Sequence, residues 1–385
     1  MLLSIKKHLL KINIHLSFVI FKVYMKTIKH ISAIFLILFF FSCSKTENND
    51  VVNPDQFIVS TPETQGMDSN LLKNAYEKAA SFKFIDGIII SKNGYIVGEK
   101  YFNNYNKFKP HNVKSVSKSM LSAITFFAID KGYLKLNDKV LDFFPDFDKT
   151  NFDNRKLDIT IEHLLTMRMG IPSEFDNSYN TYYDLYNSNN WVETTLNLPL
   201  KDAPGTAMNY NTFQTHLLSV TIAKATKKST FNFATESFFN TMKMDIDDWE
   251  QDKQGNYFGG NSMFFTPREM YLFGKLYLNK GKLYDTQIIP ESWVNSSLKS
   301  STNFSNLEIG AFKNYNYGYL WWLGEINKNK LFLAYGYAGQ LIAVFPDLDL
   351  IIVTTTENKV TPTEARNQEI KMFNFISENI LPAIQ

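Results

Sequence analysis

The alternation of polar and apolar residues changes rhythm several times along this chain. From Met67, "MDSNLLKNAYEKAASF" sets Leu71, Leu72, Ala75 and Ala79 at helical spacing behind Asp68, a residue suited to cap a helix start. The next stretch, "DGIIISKNGYIVGEKYF", predicts two strands around Asn93-Gly94, a dipeptide favoured in two-residue hairpin turns. Near the other end, "FLAYGYAGQLIAVFPDLDLIIVTTTEN" predicts two more strands, broken around Pro346-Asp347. A last helix over about 363–381 opens after Pro362 and carries Ile370, Met372, Phe373 and Ile376. Between these ends, roughly 115–270, the pattern is mostly helical, with aromatic-rich loops such as "FDNSYNTYYDLYNSNNW" and no internal repeat. Strands at both ends with helices between them predict an α/β fold of the α+β type. One antiparallel sheet, built from distant segments and flanked by helices, carries an inserted helical region. A cleft between sheet and insert is the default place for a ligand.

The first residues follow another plan. From Met25, "MKTIKHISAIFLILFFFSCSK" has a basic start, an apolar stretch Ile31–Phe41 and then Ser42-Cys43, the layout of a secretory signal. The stretch is short of the ~20 residues of a membrane span. Cys43 is the single cysteine, so no intramolecular disulfide forms. Its place resembles a bacterial lipobox, with Phe40 and Phe41 departing from the usual leucine and small residue; the alternative is an incidental thiol. Residues 1–24 are basic and apolar without a clean pattern, and Met25 is a candidate start. The expected organisation is a signal peptide and lipobox over 1–43, a polar tether over 44–58 and one folded domain over 59–385. The domain is then exported and lipid-anchored to a bacterial membrane.

Composition narrows the function classes. With 44% hydrophobic and 20% charged residues and a formal net charge of +2, the chain gives no electrostatic ground for binding nucleic acid. Six histidines and one cysteine form no His-Glu-x-x-His or Cys/His cluster, so no metal is expected. A Gly-x-Ser-x-Gly elbow is also missing; the nearest match, Gly260-Asn261-Ser262-Met263-Phe264, lacks the second glycine. His163 and His216 sit in apolar helical contexts and read as structural.

One short stretch carries candidate chemistry. In "VKSVSKSMLSAITFFAIDKGYL", residues 113–134, Ser115 and Lys118 stand three apart where a loop becomes a helix. Residues at i and i+3 share a helix face, so the lysine can reach the serine hydroxyl. The helix start offers free N–H groups and a positive dipole end, which favour an alkoxide and the oxyanion after attack. Lys118 accepts a proton only when neutral, which burial or a neighbouring cation would favour. The alternative is a serine that caps the helix and a lysine in solvent. Ser-x-x-Lys also occurs at Ser4/Lys7, Ser42/Lys45 and Ser296/Lys299, so the spacing alone decides nothing.

The order of later segments does more. "SVSK" is followed by "ITIEHLLTMRMGIP" at 159–172, "PGTAMNYNTFQTHLL" at 204–218, "GNYFGGNSMFFTPREMYLFGKLYLNKG", "IIPESWV", "YGYLWW" and "YGYAGQ" at 335–340. Over about 60–360 this order resembles the class C β-lactamases, D-alanyl-D-alanine carboxypeptidases and related esterases. It looks closest to the esterase and 6-aminohexanoate-dimer hydrolase branch. The resemblance implies a β-lactamase/transpeptidase-like fold and an acyl-enzyme mechanism without metal or organic cofactor. Ser115 would be the nucleophile, with Lys118 and Tyr210 handling its proton. The amides of Ser115 and Tyr337 would form the oxyanion hole, and Thr212, Gly336, Ala338 and Gly339 would line the substrate site. Partners would be a small ester or amide, or a peptide, and a membrane through the lipid anchor at Cys43.

The departures matter as much. Thr212 stands where the family's Tyr-x-Asn has its amide, no Lys-Thr-Gly occurs, and Met169 replaces a common serine. The losses point to esters or small amides without an obligatory carboxylate. Open alternatives are a cell-wall D,D-peptidase or β-lactamase, and an inactive binding or sensing lipoprotein of the same fold. Tyr182, Tyr183, Trp249, Trp321 and Trp322 are candidates for pocket wall or core.

Overall fold

The computed structural model describes residues 57–385 apart from 151, 177, 179–180, 284 and 303–306, so the expected signal, Cys43 and most of the tether lie outside the described residues. Helix α1 (Ser69–Phe82) starts where the sequence predicts: Asp68 accepts from the Asn70 and Leu71 amides at 2.8 and 3.0 Å. It buries Leu72, Ala75 and Ala79 while Leu71 faces solvent. Strands β1 (Ile85–Lys92) and β2 (Tyr95–Tyr101) are joined by Asn93 and Gly94, whose φ angles of 52° and 79° are both left-handed, as a type I′ turn requires.

A short strand β3 (His111–Asn112) leads into helix α2 (Val116–Asp130). The helical region follows, with short helices Ile161–Leu165, Thr181–Asn187 and Trp191–Asn197, then α3 (Thr212–Thr226). Strand β4 (Phe264–Phe265) pairs with β3 and opens onto α4 (Pro267–Leu278). After the hairpin β5 (Lys282–Leu283) and β6 (Thr286–Gln287) the chain builds six strands: β7 (Glu308–Ile309), β8 (Phe312–Tyr317), β9 (Trp322–Ile326), β10 (Asn329–Gly336), β11 (Gln340–Phe345) and β12 (Leu350–Thr356). Helix α5 (Pro362–Phe375) follows, and a π-helical turn, Ile376–Ile380, continues it.

The main sheet has eight strands in the order β2-β1-β12-β11-β10-β9-β8-β7, with every pair antiparallel. Strands from the two chain ends meet at β1 and β12, as the sequence predicts. The strand count differs from that reading, which has two strands near the C-terminus. β10 and β11 split at "YGYAGQ", and β7–β9 alternate poorly because they form the sheet's partly exposed side.

Period-2 alternation divides the apolar strand residues between two cores. Ile89, Ile342, Val344, Ile351 and Val353 join the core shared with α2, α4 and the helical region. Ile88, Ile90, Leu341, Ala343 and Ile352 join the other core, with Leu72 of α1 and Met372 and Phe373 of α5. Both faces are covered, which is why Ile88–Ile90 of β1 and Leu350–Val353 of β12 are continuous apolar runs. α2 is buried from Val116 through Ala128 and packs against α3 and β10. A helix enclosed on all sides carries its lysine inside with it.

Candidate active site

Ser115 is the residue before α2, yet its side chain makes no capping hydrogen bond. Its hydroxyl instead accepts from Lys118 Nζ at 2.9 Å. The preceding loop is tied down from the β4 side: the Val113 N–H donates to the Met263 carbonyl at 3.0 Å, and the Met263 N–H to Ser117 Oγ at 3.2 Å. The end of β10 presses on the same loop. A Cβ at Gly336 would stand 2.4 Å from the Val113 carbonyl oxygen and 3.2 Å from Lys114 Cβ, so only glycine permits this approach.

Lys118 is 1% exposed. Its Nζ has three acceptors: Ser115 Oγ at 2.9 Å, Thr212 Oγ1 at 3.0 Å and the Gly260 carbonyl at 2.7 Å. The Tyr210 ring centroid lies 4.9 Å away. Burial pulls its pKa down to about 7, against the opposing charge of Glu174. A neutral amine has two N–H groups and one lone pair. In that neutral form the Ser115 contact reverses direction: Thr212 and Gly260 accept the two N–H groups, and the lone pair accepts the Ser115 O–H.

Tyr210 precedes α3, whose cap is Asn211. Its ring is sandwiched between Phe175 (5.6 Å, 17°) and Trp322 (5.6 Å, 26°), with Tyr317 edge-on. Burial pushes the phenol well up, Glu174 adds to this, and hydrogen bonding to Ser115 works against it.

The turn Tyr337–Gly339 joins β10 to β11. Ala338 adopts a left-handed φ of 66°, an unfavourable conformation for an alanine. Surrounding side chains hold it there. Glu369 of α5 accepts the Ala338 N–H at 3.1 Å, and Thr356 and Thr354 donate to the Ala338 and Gly339 carbonyls at 2.8 and 2.7 Å. Tyr337 opens the turn, where a helical N–H has no acceptor within its own helix.

Of the residues singled out from sequence, Ser115, Lys118 and Tyr210 come together. Thr212 is buried and joins them through Lys118. Gly336 abuts the serine's loop, while Ala338 and Gly339 are buried within the turn. Trp321 and Trp249 are core residues, Trp322 and Tyr182 are partly buried, and Tyr183 is exposed. The two histidines read as structural have structural partners: His163 Nδ1 accepts from the Thr160 N–H in a capping box, and His216 pairs with Asp252 at 3.0 Å in a buried pocket.

Three neighbours of the site escape the sequence reading. Gly260 had a signal in the paired glycines of "FGGN". Cβ atoms at Gly259 and Gly260 would stand 2.1 Å from the Thr215 carbonyl oxygen and 2.3 Å from Thr215 Oγ1, so the pair lets this loop lie on α3 and reach Lys118. Glu174 and Glu369 had none, being lone acids in a loop and on a helix.

Comparison with known proteins follows the same outline. A family model described as Beta-lactamase matches residues 86–373. A protein assigned as a 6-aminohexanoate-dimer hydrolase from Bacillus anthracis superposes with a TM-score of 0.66 at 21% identity, covering 86% of this chain and 90% of that one. EstCE1, a hydrolase with promiscuous acyltransferase activity, gives a TM-score of 0.62 at 13% identity, covering 80% and 98%. At such identities the likeness is one of fold. In sequence the chain is 29% identical over 178 residues to Protein flp of Staphylococcus aureus, 44% of this chain and only 35% of the relative's length.

Proposed function

The chain belongs to the beta-lactamase family, and we propose that it is a serine hydrolase acting through an acyl-enzyme on neutral esters or small amides. The observation that carries this is Lys118: fully buried, its amine on the Ser115 hydroxyl, with acceptors for its two other hydrogens. In the reaction Ser115 Oγ attacks the substrate carbonyl carbon while its proton passes to neutral Lys118. The carbonyl oxygen becomes an oxyanion held by the Ser115 and Tyr337 amides. Collapse breaks the bond to the leaving group, which takes a proton delivered by Lys118 with Tyr210, and leaves an ester on Ser115. Water then attacks that ester, returns a proton to Ser115 and releases the acid. The acyltransferase behaviour of EstCE1 suits such an intermediate, with an alcohol in place of water.

Neutral substrates are favoured by what stands at the family's binding positions. Thr212 directs its hydroxyl to Lys118, and Tyr337-Ala338-Gly339 replaces a lysine-bearing strand. The Phe175–Tyr210–Trp322 stack offers an apolar wall, with Phe175 72% exposed. We propose further that lipid at Cys43 holds the domain at a bacterial membrane.

A serine-reactive fluorophosphonate should label the wild type and not Ser115→Ala. Equal labelling of both, or of neither, removes the hydrolase reading and leaves a binding protein. A panel of p-nitrophenyl esters with neutral and carboxylated acyl groups should show faster turnover of the neutral ones; the reverse order would return the protein to carboxylate recognition.

A further inference from the structure

Thr212 faces two ways. Its hydroxyl accepts from Lys118 Nζ at 3.0 Å, and its N–H donates to Glu174 Oε2 at 2.6 Å. Glu174 is itself fixed to the strand of chain that carries Tyr210: its N–H donates to the Tyr210 carbonyl at 2.9 Å, beside Ser173 Oγ on the same oxygen at 3.0 Å. The partly buried carboxylate thus reaches the lysine through Thr212, at the start of α3, where the free N–H groups and dipole of a helix favour a negative charge. From this juxtaposition we infer that Glu174 is a positioning residue of the hydrolytic site. It acts through Thr212 to hold Lys118 on Ser115 and to set the pH at which that lysine becomes a base. The inference rests on the serine hydrolase reading above.

The groups around the pair single out Glu174. Lys118 on α2 faces Tyr210, Thr212 and the Gly260 carbonyl, and Glu174 is the charged group acting on it. Glu174 in turn acts on Tyr210, on Tyr182 of the helix Thr181–Asn187 and on Tyr317 of β8. Those phenols are pushed upward by burial and stay neutral through the working range. Glu369 of α5 is engaged with the Ala338 N–H and acts on Tyr210 and Tyr335. Burial raises the Glu174 carboxyl, and Lys118 and Thr212 oppose it. Each member of the pair therefore stabilises the charged form of the other, and removing the carboxylate must make Lys118 easier to deprotonate.

The test is the pH dependence of kcat/KM on p-nitrophenyl butyrate for wild type, Glu174→Gln and Thr212→Val, with fluorophosphonate labelling and Ser115→Ala alongside. The acid limb, where Lys118 loses its proton, should move to lower pH by about one unit in Glu174→Gln, as expected for loss of a nearby opposite charge. Thr212→Val keeps the backbone N–H that donates to Glu174 and deletes only the hydroxyl on Lys118, so it tests the tether. Glu174→Ala, which also removes the charge, should move the limb as the glutamine variant does and keeps the inference testable if that variant does not fold. A variant that labels normally and loses kcat with its acid limb at the wild-type pH overturns the inference and leaves the hydrolase reading intact. Wild type without Ser115-dependent labelling or turnover overturns both.

Discussion

Replacing Lys118 by methionine tests whether the amine is neutral in the folded protein, separately from whether it catalyses. Methionine is unbranched and close in length, so the substitution fills the same space while deleting the nitrogen. Two losses follow on folding. Thr212 Oγ1 and the Gly260 carbonyl each lose a donor, at a cost of about 1–3 kcal/mol per buried group. Against this, the wild type carries the burden of a lysine whose pKa falls from 10.5 to about 7 by burial. At about 1.4 kcal/mol per unit, that burden is roughly 5 kcal/mol when the amine is protonated. The sign follows from linkage. Between about 7 and 10.5 the unfolded chain holds the proton and the folded one has released it, so wild-type stability rises with pH at about 1.4 kcal/mol per unit. Below about 7 both states are protonated and the full penalty stands. The methionine variant has no such titration. Its stability relative to wild type should therefore fall by about 3 kcal/mol when urea unfolding is moved from pH 7 to pH 9.5. The same stability difference at both pH values would mean that the folded lysine stays charged, and the base assignment would lose its premise. Turnover of p-nitrophenyl butyrate by this variant should drop by about 10²–10⁴; unaltered turnover refutes the assignment directly.

Gly336→Ala introduces a methyl carbon 2.4 Å from the Val113 carbonyl oxygen, so the serine's loop or the end of β10 must shift. An ångström-scale displacement of that kind should lower kcat by up to about 10² with a smaller change in KM; wild-type kinetics would show that the two segments are not held in register. Phe175→Ala removes an exposed ring stacked on Tyr210, so stability should stay within about 0.5 kcal/mol, while KM for aryl esters should rise about fivefold if the ring contributes about 1 kcal/mol of stacking. An unchanged KM removes Phe175 from the substrate wall. Cys43→Ser in the full chain should release the protein from the membrane fraction and abolish lipid incorporation, and equal fractionation of both forms rules out the anchor.

What could be read from the sequence was whatever depends on neighbours along the chain. α1, the Asn93-Gly94 hairpin and the pairing of chain ends follow from local periodicity and turn chemistry. The Ser115–Lys118 contact is an i, i+3 relation on one helix face. The burial of Lys118 is not legible in the same way: Lys118, Ser119, Ser122 and Thr125 form a polar stripe on α2 that reads as a solvent face, and only the packing of α3 and β10 against the helix encloses it. Tyr210 was found through the order of segments rather than any property of tyrosine. β7–β9 were missed because strands on a sheet's exposed side do not alternate cleanly. Glu174 and Gly260 were missed for another reason. They meet the site across 38 residues to Thr212 and 142 residues to Lys118, and the path of a loop decides such contacts.

The count of donors and acceptors around Lys118 also shows how a threonine at position 212 can serve the lysine in the proposed mechanism. An asparagine offers an acceptor for the lysine and an N–H pair that can turn towards substrate. Threonine, 1% exposed, keeps the first function in its hydroxyl, which is turned to the lysine. The lysine's remaining donor goes to a backbone carbonyl that paired glycines bring within 2.7 Å. In the proposed mechanism, proton transfer would thus be supported from inside the protein, with no amide at position 212 and no cation at position 337 to grip a charged substrate. Tyr337 of the turn sends its hydroxyl to the Val360 carbonyl at 2.8 Å. On the proposed reading, a site so built would keep the machinery for attacking a carbonyl and lack the machinery for recognising a carboxylate. Selection among substrates would then fall to shape and to the aromatic wall around Tyr210, which is what the Phe175→Ala kinetics test.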